Sequence, residues 1–138
     1  MLSAQRDESN SQFIMQNAEW RKSMTDNVIE NKSFDFAVRI VNLHKHLSAD
    51  KKEFVLSKQL LRSGTSIGAN IAEAIRGQSK ADFSAKMCIA LKEANESYYW
   101  IRLLYKTEFL TEYEFNSIEK DVVELIKILS SICKTSTQ

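Results

Sequence analysis

The chain has 138 residues, 43% of them hydrophobic, with no proline, three glycines and 19 Lys and Arg against 18 Asp and Glu, for a net charge of +1. That length supports one domain with its own core and no need of metal or disulfide staples, and the lack of proline and glycine argues for long helices and against a turn-rich β fold. The balanced charge does not by itself announce a nucleic-acid binder, and no apolar run approaches the roughly 18 residues that a membrane span needs.

Residues 1–23 read as an N-terminal extension, polar and disordered or frayed over Met1–Gln12, with Phe13, Ile14 and Trp20 able to form a short docked helix. Acids among its polar residues and the missing apolar h-region exclude a signal peptide. The four-helix-bundle domain is expected over 24–138. Its first helix runs from about Ser33, or from as early as Asp26, to Leu47, because Phe36, Ile40, Leu43 and Leu47 recur in steps of four, three and four. Asp50 and Glu53 have the D-x-x-E form of an N-cap for a second helix, which carries Phe54, Leu61, Ile67, Ile71 and Ile75 inward and ends near Gly77.

Ser79-x-x-Asp82 starts a third helix, with Phe83, Met87, Ala90, Ala94, Tyr98, Ile101 and Tyr105 on its inner stripe. Thr111-x-x-Glu114 caps the fourth, whose seam is Phe115, Ile118, Val122, Leu125, Leu129 and Ile132. Connections at 48–50, 77–78 and 109–110 are short enough to force successive helices antiparallel, so the predicted architecture is an all-α, up-down-up-down four-helix bundle. Cys88 and Cys133 sit in apolar helical patterns without a C-x-x-C, and each reads as a small reduced core residue of a cytoplasmic protein.

The run from Leu60 to Ala74 is the most specific stretch. It places Gly64, Gly68 and Ala72 at one-turn intervals beside an apolar stripe of Leu60, Ile67 and Ile71. Glycine inside a helix costs about 1 kcal/mol relative to alanine, which close approach of a neighbouring helix offsets. The alternative is that one glycine breaks the segment in two. Arg62, Ser66, Asn70 and Glu73 fall on a third stripe as an internal polar network. Antiparallel pairing of the second and third helices puts Arg62 opposite Glu93 and one turn from Glu96, so an ion pair explains these carboxylates better than acid-base chemistry.

The words Arg62-Ser63-Gly64-Thr65-Ser66-Ile67-Gly68-Ala69-Asn70-Ile71-Ala72-Glu73-Ala74, then Ser79-Lys80-Ala81-Asp82-Phe83, then Leu91-Lys92-Glu93-Ala94-Asn95-Glu96-Ser97 resemble the bacterial four-helix-bundle family encoded in intervening sequences of 23S ribosomal RNA. The resemblance covers about Ser33 to Lys134. It implies an all-helical subunit in a homopentameric barrel, like the related accessory proteins of diversity-generating retroelements, which bind nucleic acid. It does not imply an enzyme.

Catalytic and metal chemistry find little support. His44 and His46 are two apart and point in different directions on a helix, and neither has a Glu three positions earlier. Ser66 lacks a His or Asp motif and no phosphate-binding glycine loop occurs, so no catalytic residue, cofactor, metal, small-molecule substrate or membrane partner is expected. Lys120, Lys127 and Lys134 line one face of the fourth helix, and Lys51, Lys58 and Arg62 make a similar line on the second. A solvated face diluted by Glu119, Asp121 and Glu124 is the plain alternative. Repetition round a ring would multiply even a weak patch. Val55, Leu56, Ile89, Trp100, Leu103, Leu104, Val123, Ile126 and Cys133 are surplus to one bundle core; of these, Trp100, Leu103, Val123 and Ile126 are the expected subunit interface, unless wide helices simply bury more. Two readings follow: a non-enzymatic ring binding RNA or DNA, or a protein-interaction module.

Overall fold

The computed structural model describes the backbone of residues 2–137 and the side chains from Met24 to Thr137. Four helices follow one another: α1 (Leu2–Ala49), α2 (Leu56–Ile75), α3 (Lys80–Lys106) and α4 (Glu112–Ser136), with no strand among the described residues. Expectations for the side chains of residues 1–23, including docking of Phe13, Ile14 and Trp20, fall outside the described set. Neighbours in sequence are neighbours in space, and α1 closes the square against α4. α1 therefore lies diagonally across from α3.

The predicted seams form the core: Phe36, Ile40 and Leu47 from α1, Leu60, Ile67 and Ile71 from α2, Met87, Ala90, Ala94 and Ile101 from α3, and Ile118, Val122, Leu125 and Leu129 from α4 are all buried. Ile29 is buried as well, so α1 contributes to the core upstream of Ser33. Leu104 is fully buried and belongs to the core, not to the surplus set. Serines 33, 57, 63 and 97 are the small polar residues inside, and the hydroxyls of Ser63 and Ser97 meet at 2.9 Å between α2 and α3.

The glycine pair faces α1. A Cβ on Gly64 would come within 3.0 Å of both γ-carbons of Ile40, whereas one on Gly68 would meet Ser33 at 3.4 Å. Gly64 is thus the position where close approach excludes a side chain. The segment remains one continuous helix.

Three turn readings are corrected or refined. The α1–α2 connection is longer than expected, and α2 begins at Leu56, so Asp50 is not its N-cap and Phe54 lies outside the helix with 58% exposure. Glu53 does the capping instead: its carboxylate accepts from the N–H groups of Val55, Leu56 and Ser57 at 3.1, 2.8 and 2.7 Å. Gly77 follows the end of α2 without a positive φ. Ser79 accepts from the Asp82 N–H, and Thr111 with Glu114 forms the full reciprocal capping box.

The cysteines are also corrected. Cys88 of α3 and Cys133 of α4 form a disulfide with Cα atoms 5.4 Å apart. The antiparallel register of the α3–α4 hairpin brings the two thiols together although 45 residues separate them.

Candidate functional site

The polar residues of α2 lie on the rim between α2 and α3. Arg62 reaches Glu93 at 3.4 Å and also pairs with Glu96, as hairpin geometry required. Its side chain is 51% exposed, however, so this is a surface pair and not an internal network. Ser66 donates back to the Arg62 carbonyl and Asn70 to the Ser66 carbonyl, each one turn away. Glu73 pairs with Lys86 of α3 at 2.8 Å and makes no bond to Asn70.

Other interhelical seams are closed by charge in the same way. Arg76 bonds Glu30, Lys32 pairs with Glu124, and Arg39 holds Asp121 and the Ser117 carbonyl. The hydrogen bond and charge of Glu124 raise the Lys32 pKa, and Lys32 in turn lowers that of Glu124. Burial would push the Glu53 carboxyl up, but the N–H donors from Leu56, Ser57 and Val55 and the Ser57 hydroxyl outweigh it and hold the group below its usual range.

The histidines do not converge. His44 meets the Ser57 hydroxyl at 3.2 Å, while His46 bonds Asp50 and faces Glu114. Among the described residues no group of three His, Cys, Asp or Glu side chains is placed to hold a metal. A cleft of about 690 Å³ lies at the end of the bundle where the α2–α3 turn meets the last turn of α4. Hydroxyls from Ser79, Ser131 and Thr135 line it, with Asp26 and Lys80 as its acid and its cation.

The lysine line of α4 has a setting that the sequence did not reveal. Lys120, Lys127 and Lys134 are exposed; the acids between them, Asp121 and Glu124, face α1, and Glu119 accepts from the Tyr98 hydroxyl of α3 at 2.7 Å. None of the three lysines has an ion-pair partner among the described residues, although Lys120 exerts a weak pull on Glu124. The second expected line is broken, because Lys51 lies in the turn before α2 and Arg62 is engaged on the rim; Lys58 is the member of that line on α2 that has no ion-pair partner among the described residues.

A third line, unread in the sequence, runs along the outer face of α3. Lys92, Tyr99 and Lys106 recur at seven, with Arg102 between the last two, and all four are exposed. The contacts Tyr105–Phe115, Tyr98–Glu119 and Cys88–Cys133 set the α3–α4 register, which brings Lys92 level with Lys127 and Tyr99 level with Lys120. Lys92, Arg102 and Lys106 on α3 and Lys120, Lys127 and Lys134 on α4 are thus six exposed cations on the solvent sides of two adjacent helices. The heptad spacing is the signal the sequence offers, masked by the stronger buried stripe of the same helix.

Of the expected interface residues, Trp100, Val123 and Ile126 are half-buried against the core, and Leu103 is half-buried as well. The Trp100 indole N–H is buried without an acceptor. The most exposed large apolar side chains lie elsewhere: Met24, Val28, Phe34 and Val38 on α1, Phe54 and Val55 in the α1–α2 connection, and Ile89, Tyr99 and Tyr113. Met24 and Val28, and Phe34 and Val38, are each one turn apart, two pairs on the side of α1 away from its buried residues.

These features define a class: antiparallel four-helix bundles with charge-closed seams and one basic outer face. Within it, the chain matches the 23S rRNA-intervening sequence protein family over residues 25–131, and it belongs to that family. A crystal structure from Bacteroides thetaiotaomicron VPI-5482, described as a protein with unknown function from the S23 ribosomal protein family, is 59% identical with a TM-score of 0.78; the match covers 80% of this chain and 98% of that one. No curated protein matches. No helix among the described residues is long and apolar enough to cross a membrane.

Proposed function

We propose that this chain is a non-enzymatic, cytoplasmic, homo-oligomeric bundle protein that binds RNA or DNA through the outer face of α3 and α4. The observation that carries the reading is the row of six exposed cations on α3 and α4 without an ion-pair partner among the described residues, while Asp121 and Glu124 of α4 are paired to α1 and Glu119 is bonded to Tyr98. A phosphate backbone gains affinity from such cations by releasing its counterions. A cytoplasmic location fits the nucleic-acid partner; the Cys88–Cys133 bridge means that reduced thiols lend it no support.

Oligomerisation is supported by the exposed apolar side chains Met24, Val28, Phe34 and Val38 on the outward side of α1. Full burial of side chains of this size is worth about 1.5–3 kcal/mol each. α1 is diagonal to α3, so subunit contacts there leave the basic face open. A ring of five rests on family resemblance alone.

The test is light scattering with an absorbance ratio on the purified protein. The expected result is a mass several times 15.9 kDa together with absorbance at 260 nm that nuclease removes. A monomer with a protein-like spectrum that fails to retain added RNA or DNA contradicts the proposal. A second reading, a protein-interaction module, draws on Phe54 and Val55, which are 58% and 70% exposed beside the start of α2. One specific co-purifying protein without nucleic acid would favour it.

A further inference from the structure

Beside the basic face there is a small aromatic cleft that a phosphate backbone alone does not use. It holds about 300 Å³ and is lined by Tyr99, Arg102, Leu103, Tyr105, Lys106 and Phe115. Tyr105 and Phe115 stack at 4.2 Å with their planes 9° apart, pinning one wall. Tyr99 is 56% exposed, and its ring is held edge-on against Trp100 at a centroid distance of 5.0 Å. Arg102 lies 5.7 Å from the Tyr98 ring centroid, in cation–π range. The cleft therefore combines a fixed aromatic surface, an apolar floor and two cations.

We infer that this cleft receives one unpaired base of a single-stranded nucleic acid, stacked on Tyr99, while Arg102 and Lys106 hold the flanking phosphates. The inference rests on the nucleic-acid reading above and sharpens it from any phosphate backbone to a single strand. An unpaired base brings a free π-face to an aromatic ring, and cations beside the ring track the backbone. A duplex hides its base faces in the stack and must pay unstacking energy to deliver one. Clefts of about 300 Å³ lie at the small end of ligand sites, which suits one planar ring. Because Trp100 already fixes Tyr99, little ordering is lost when a base stacks.

The experiment is fluorescence anisotropy of the full chain with labelled 20-nucleotide single-stranded RNA, the same sequence as single-stranded DNA, and a 20-base-pair duplex. Tyr99→Ala is expected to weaken single-strand binding between about fivefold and about 150-fold, to leave duplex binding unchanged and to keep the salt slope of the wild type. Tyr99→Phe is expected to retain wild-type affinity. The RNA and DNA arms tell which strand the cleft prefers, and either preference supports the inference. If Tyr99→Ala binds single strands as the wild type does while Lys120→Ala/Lys127→Ala/Lys134→Ala loses them, the basic face stands and the base-stacking site is overturned. If the wild type binds neither strands nor duplex, the nucleic-acid reading falls as well. Tyr99 is exposed, so a melt matching the wild type confirms that Tyr99→Ala is folded.

Discussion

The seams between helices and the outer face of α3–α4 treat charge in opposite ways. Along the seams, Arg62 meets Glu93 and Glu96, Lys86 meets Glu73, Arg76 meets Glu30, Lys32 meets Glu124 and Arg39 meets Asp121. On the outer face, Lys92, Arg102, Lys106, Lys120, Lys127 and Lys134 have no ion-pair partner among the described residues. A net charge of +1 therefore conceals a local contrast: the seam acids are paired with cations of neighbouring helices, and the cations of the α3 and α4 outer sides are not. Pairing fixes helix register, and leaving cations unpaired keeps them available to an outside anion.

The sharpest way to break this contrast is to remove the α4 line. Lys120→Ala/Lys127→Ala/Lys134→Ala is expected to lower single-strand affinity roughly 100-fold at 0.1 M salt, as three lost phosphate contacts imply, with an unchanged melting temperature. A fall in melting temperature with affinity unaltered would mean that these lysines stabilise the bundle.

Glu53 is the extreme of the paired side, a buried acid satisfied by three N–H donors. Glu53→Ala is expected to cost about 2–3 kcal/mol in chemical denaturation, since it uncaps α2 and strands buried donors. The pH dependence has a definite sign. The folded pKa lies below the ordinary 4.5, so the contribution is complete above that value and is lost as pH falls through the depressed one. Glu53→Gln should flatten this part of the acid melt; an unchanged acid profile would remove Glu53 from the account.

Packing and pairing can be ranked on α2 itself. Gly64→Ala forces a Cβ against the branched, buried Ile40 at 3.0 Å and is expected to cost about 1–3 kcal/mol. Gly68→Ala, with 3.4 Å to Ser33, gains helix propensity and should stay within about 1 kcal/mol of wild type. The smallest effect is that of Arg62→Ala, at most about 1 kcal/mol because the pair is exposed. Thermal melts that rank Arg62→Ala above Gly64→Ala would contradict the claim that seam charges set register more than stability.

Much of the bundle was legible because helical burial leaves a three-and-four spacing in the sequence, and because Ser79 and Thr111 announce the starts of α3 and α4 through local cap chemistry. Contact across the α2–α3 hairpin was legible too, since a short turn fixes which residues face each other; that is how Arg62 finds Glu93. Solvent exposure was not, because the rim and the interior of a hairpin differ only in rotation of the helices. Asp50 and Glu53 misled for a local reason: D-x-x-E spacing cannot tell a cap box from a single glutamate that folds over the first turn. The Cys88–Cys133 bridge depends on the α3–α4 register over 45 residues, which no local pattern encodes. The α3 line was visible as the heptad Lys92, Tyr99, Lys106. Its meaning appears only once Asp121 and Glu124 are seen to be paired to α1 and Glu119 to be held by Tyr98.

The most direct test of the central claim is the salt dependence of single-strand binding by the wild type. Six unpaired cations acting on phosphates predict a plot of log K against log salt with a slope of about −4 or steeper. A slope near zero, or binding that persists unchanged from low to high salt, would contradict the claim that this face exists to hold a phosphate backbone.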